Sequence, residues 1–150
     1  MTATFRTVAS GLVTRIDGQL TYLNTCRFYA GEIEEVDGAV QAFDQAPAVY
    51  VIFDGMEPLT EDEGFGEYVY RARYGAVVVA KTMGGAETKA ESDTYSAHAI
   101  IEDLFEAVPG NNLGLTGFSG LTPGVVRRVK ITPRAAIYVV EFTGLVQLAK

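Results

Sequence analysis

The chain has 150 residues, 48% of them apolar and 21% charged, a balance that suits one domain burying its own core and excludes a disordered chain. Its net charge of −7 argues against a partner held by phosphate neutralisation, so no sequence-specific nucleic-acid binding is expected. No apolar run approaches the roughly 18 residues that span a bilayer. The opening Met1-Thr2-Ala3-Thr4-Phe5-Arg6 lacks a basic region followed by an apolar stretch, and the single cysteine, Cys26, cannot form an internal disulfide. A protein without a membrane partner, folding in a reducing cytoplasm, is the expectation.

Residues 3–20 predict an amphipathic helix. Phe5, Val8, Ala9, Leu12, Val13, Ile16 and Leu20 recur at three- and four-residue spacing on one face, while Gly11 and Gly18 weaken it. The stretch 21–46 is ambiguous, with Cys26 to Ala30 readable as a short strand. After Pro47, the run Ala48-Val49-Tyr50-Val51-Ile52-Phe53 predicts a buried strand. Residues 54–67 predict a loop, because Pro58, Gly55, Gly64 and Gly66 break regular structure. That stretch holds six acids: Asp54, Glu57, Glu61, Asp62, Glu63 and Glu67.

A long strand is expected from Tyr68 to Ala80, then a turn at Met83-Gly84-Gly85. A second helix is expected over about 86–108, with Ala90, Ala97, Ile101, Leu104, Phe105 and Val108 near one face and Pro109-Gly110 as its stop. Residues 110–124 are rich in glycine and small polar residues, with Leu113, Leu115, Phe118 and Leu121 as apolar anchors. Such a segment either awaits a partner surface or folds back over its own sheet. Val125–Ile131 and Ala135–Leu148 predict two further strands about a turn at Thr132-Pro133-Arg134. The order α, β, β, α, β, β predicts an α+β fold. It would be a single mixed or antiparallel sheet of about four strands, with two long helices packed on one face, in one domain over 1–150.

Catalytic and metal-binding chemistry finds little support. His98 is the only histidine, and Glu102 one turn later completes no metal site. Ser96 and His98 would be about 200° apart on one helix, so they cannot form a nucleophile–base pair. Paired carboxylates or calcium ligands within 54–67 lack the alternate-position pattern of a calcium loop. Lys81-Thr82-Met83-Gly84-Gly85 has its lysine ahead of the glycines, the wrong order for a phosphate loop, and Cys26 has no adjacent base. No cofactor and no enzymatic activity are expected.

Charge distribution is more informative than total charge. Residues 1–109 carry 18 acids and 7 bases, whereas 110–150 carry one acid, Glu141, and 5 bases. The two regions either meet each other on neighbouring copies or are solvated faces. Taken as an assembly interface, Arg127, Arg128, Lys130 and Arg134 would form one side. Asp54, Glu57, Glu61, Asp62 and Glu63 would form the other, or line the lumen of a ring. Along a regular strand Arg128 and Lys130 would share one face and Arg127 would take the other.

The chain also resembles a known family over most of its length. The pieces that carry the likeness are the N-terminal helix, the strand Pro47 to Phe53 with its acidic segment, and the strand Arg73 to Ala80. The helix Ser92 to Leu104, then Leu113-Gly114-Leu115, Leu121-Thr122-Pro123-Gly124 and the closing strand Ile137 to Thr143, complete it. This arrangement resembles the tail-terminator, or tail-completion, proteins of Mu-like phages and prophages, a likeness of ordinary residues without a diagnostic chemical motif. The resemblance implies a structural virion protein of the tail and neck of a contractile-tailed phage. It implies a homo-oligomeric ring, commonly a hexamer, that caps the tail tube, stops its polymerisation and offers a docking face to the head. Its partners would be tail tube and sheath proteins and head–tail connector proteins, with DNA passing through the lumen. Two other readings compete: a ligand-binding or enzymatic α+β domain with a pocket at Tyr68, Tyr70, Tyr74 and His98, and a different component of the head–tail connector.

Overall fold

The computed structural model describes residues 2–29, 46–59, 67–81, 96–131 and 135–149. The first element is helix α1, Phe5–Gln19. It starts there because Thr4 and Thr7 cap each other: the Thr7 amide donates to Thr4 Oγ1 at 3.1 Å, and the Thr4 amide donates to Thr7 Oγ1 at 2.7 Å. Val8, Ala9, Leu12 and Ile16 are its buried stripe. Gly11 is accommodated within the helix, and a side chain there would press on Leu113 at 3.2 Å.

The expected four strands are five. The ambiguous region supplies β1, Thr25–Phe28, which runs parallel to β2, Ala48–Pro58. Strand β3, Glu67–Lys81, follows, then helix α2, Ala97–Ala107, and strands β4, Thr122–Ile131, and β5, Ala135–Ala149. All other pairings are antiparallel, and the strand order is β1-β2-β3-β5-β4. The central pair, β3 with β5, is in register from Glu67 opposite Ala149 to Lys81 opposite Ala135.

The described helix begins at Ala97, where Ser96 is its N-cap and accepts the Ala99 amide at 3.2 Å, and residues 86–95 of the expected helix lie outside the described residues. The turn expected at 83–85 and the one at 132–134 lie outside the described residues. The loop expected over 54–67 is partly strand: β2 continues through Asp54, Gly55, Met56 and Glu57 to Pro58. Asp54 is the extra residue of a bulge between Phe53 and Gly55, and the positive φ of Gly55 (130°) lets the chain resume pairing beyond it.

Side-chain alternation divides the sheet into two faces. Ala72, Tyr74, Ala76, Val78 and Ala80 of β3 join Val49 and Val51 of β2, and Ala136, Val140, Phe142 and Val146 of β5, in the larger apolar cluster. The buried residues of α1 and α2 belong to that same cluster, Leu12, Ile16, Ile100 and Leu104 among them. Each fully buried Val, Leu, Ile or Phe among them contributes about 1.5–3 kcal/mol of transfer free energy. Tyr50, Val77, Val79, Ile137 and Val139 form a smaller cluster on the opposite face.

The glycine-rich segment after α2 folds back on its own sheet, which decides between the two alternatives left open by the sequence. Leu115, Phe118 and Leu121 are buried in the larger cluster. The Gln147 amide donates to the Gly117 carbonyl at 2.8 Å, and the Ser119 amide donates to the Leu145 carbonyl at 3.1 Å. The turn before it is held by Asn111 and Asn112, whose side-chain oxygens accept the Leu113 and Gly114 amides at 2.8 and 3.0 Å.

Candidate assembly surface

The basic residues singled out by the sequence sit on β4, the edge strand of the sheet beside β5. Arg127 lies opposite Val139 and Arg128 opposite Tyr138, and both arginines are exposed. A bulge between Arg128 and Lys130 then shifts the register, so Lys130 falls opposite Ile137. The regular backbone register expected along this strand is therefore interrupted at this point. Arg134 lies outside the described residues.

The acidic residues divide in the same way. Asp54 and Glu57 are exposed on the far end of β2, while Glu61, Asp62 and Glu63 lie outside the described residues. Glu57 faces Arg71 across the β2–β3 ladder, with an ion pair at 3.6 Å. Arg127 meets Glu141 at 3.7 Å. Both pairs are long and well exposed, the kind worth about 0–1 kcal/mol.

Register fixes how far apart the two charged regions are. Arg127 is level with Val139 and, across β5, with Val77, whereas Glu57 is level with Arg71. Strands β5 and β3 intervene, giving three inter-strand steps of about 4.8 Å, and the offset along β3 is six residues of about 3.3 Å. The separation is thus about 25 Å, well beyond the screening length of about 8–10 Å at ordinary salt. Within one subunit, the basic edge and the acidic strand end do not neutralise each other.

The sequence reading did not single out the exposed apolar residues: it placed Phe53 and the β4 valines in strands, Met56 in a loop and Phe28 in an ambiguous stretch. On β4 these are Val125, Val126 and Val129; at the other side of the sheet they are Phe28 of β1 and Phe53 and Met56 of β2. One signal was available. Val125-Val126-Arg127-Arg128-Val129 does not alternate with period two, so no single face of it can be wholly apolar. Phe53 is not isolated: its ring stacks on Phe5 at 5.3 Å and tilts against Tyr74 at 5.4 Å. Phe5, Arg6, Ala9, Ser10, Phe28 and Phe53 line an open groove of about 300 Å³ between α1 and the β1–β2 edge.

The candidate chemistry elsewhere does not come together. His98 touches Tyr138, with Nε2 3.4 Å from the hydroxyl. Tyr138 lies opposite Val78, whereas Tyr68 is ten residues back along β3, about 33 Å away in an extended strand. The tyrosine–histidine pocket is therefore not assembled. Ser96 is committed to its cap. Tyr74 donates its hydroxyl to the Phe5 carbonyl at 3.1 Å, and burial pushes its phenol well above the usual tyrosine range. Burial first, and then the negative charge of Asp17, push the Cys26 thiol up to about 12, which removes its nucleophilic form at neutral pH. A larger open cavity of about 610 Å³ between α1 and the 111–115 turn is lined by Thr7, Ser10, Thr14, Arg15, Asn111 and Leu113, among others. Arg15 there donates through Nε to the Ala107 carbonyl at 2.9 Å, a structural bond between α1 and the end of α2. Among the described residues, no three His, Cys, Asp or Glu side chains are placed to hold a metal, and no helix is long and apolar enough to cross a membrane.

These features define an α+β protein whose distinctive surfaces are the two edges of its sheet. The chain belongs to the family described as Bacteriophage Mu, Gp37, whose model matches residues 4–143. A search of curated proteins finds no match. Family membership supports a structural protein of a Mu-like phage, and with it a virion component.

Proposed function

We propose that this protein is a tail terminator: a ring of identical subunits, commonly six in proteins of the kind it resembles, that caps the tail tube and stops its polymerisation. The same ring would offer a face to the head–tail connector and leave a lumen for DNA. The observation that carries the reading is the separation of charge across the sheet, in a chain of the Mu Gp37 family. A basic edge strand and an acidic strand end lie about 25 Å apart in one subunit, where Arg127 and Glu57 hold long, exposed ion pairs with Glu141 and Arg71. A contact between subunits through two such unlike patches closes into a ring when its rotation divides a full turn. Exposed ion pairs set register and specificity, so apolar contacts must supply most of the affinity. An acidic lumen would pass DNA without adhesion, consistent with the net charge of −7.

The test is the mass of the purified protein by light scattering, alone and mixed with tail tubes, together with tube length when the protein is present during polymerisation. A ring-sized mass and shortened, capped tubes are expected. A monomer at high concentration that neither binds tube ends nor alters tube length would overturn the proposal.

A further inference from the structure

We draw no further inference here: the strongest candidate, the open groove between α1 and the β1–β2 edge that Phe5, Phe28 and Phe53 help to line, is an apolar surface, and nothing in the structure shows what covers it.

Discussion

Gly144 on β5 offers a sharp test of the way the 117–121 segment crosses the sheet. An added Cβ at this position would stand 2.6 Å from the Gly120 carbonyl oxygen and 3.0 Å from both Leu121 Cδ2 and Phe118 Cε1. The first contact is with backbone and cannot be relieved by a rotamer change, so the whole crossing segment must lift. That movement strains the hydrogen bonds from Ser119 to Leu145 and from Gln147 to Gly117, and loosens Phe118 and Leu121 in the core. Overpacking of this kind costs about 1–3 kcal/mol. For a chain of this length each kcal/mol moves the melting temperature by about 2–4 °C, so Gly144→Ala should melt roughly 2–12 °C lower. Gly18 is the control. It is an exposed helical residue with nothing within 4 Å of an added Cβ, and Gly18→Ala should raise stability by about 0.5 kcal/mol, the low end for a position so near the helix end. Both variants are compared by circular dichroism melting at one low protein concentration, because self-association would stabilise the folded state. If Gly144→Ala melts with the parent protein, the close crossing over β5 is not as described and the reasoning fails.

Four further outcomes are expected. His98→Gln should fold and assemble as the parent does, since what the ring does among the described residues is meet Tyr138, with Nε2 3.4 Å from its hydroxyl; loss of assembly without loss of folding would give His98 a role in the interface. Cys26 should react with a maleimide at pH 8 about a thousandfold more slowly than an unperturbed thiol, following the loss of thiolate as its pKa moves from 9.0 to about 12; reaction at a free thiol's rate would refute its burial. The same raised pKa fixes a sign: the unfolded thiol ionises first, so stability should fall as pH climbs above the unperturbed value of 9.0 and be fully present below it, as pH-dependent denaturant titrations would show. Arg127→Glu with Arg128→Glu should weaken self-association while lowering the monomer's melting by no more than the about 0–1 kcal/mol of its exposed Glu141 pair, and added salt should weaken the parent's assembly in the same direction; assembly indifferent to both would mean that the basic strand is only a solvated edge.

Much of the fold was legible because its signals are local. The helical stripe from Val8 to Ile16, with Thr4 ahead of it, and the β-branched runs at 48–53 and 77–79 are patterns that only one local structure satisfies. What escaped depends on pairing. Strand β1 is four residues long and is held by its parallel register with β2, which no period in 25–28 announces. The stretch 54–58 looked like loop because Asp54, Gly55 and Pro58 are poor strand residues, yet β3 is long enough to carry it as a bulged extension. At the assembly surface, segregation of charge could be counted in the sequence, whereas the two bulges that set which faces the β4 residues share could not.

The bulges bear on closure as well as register. A head-to-tail contact between unlike edges polymerises without limit unless its geometry returns the chain of subunits to its start. Backbone pairing along a flat ten-residue edge would permit slippage by two residues at a time and so several rotations per subunit. Strand β4 is neither flat nor continuous: Pro123 removes a donor, and each bulge bends and twists the strand. A neighbour that packs on this edge would therefore have one register rather than a series. In the proposed ring, the irregularities that hid this edge from the sequence are what would let the number of subunits be fixed.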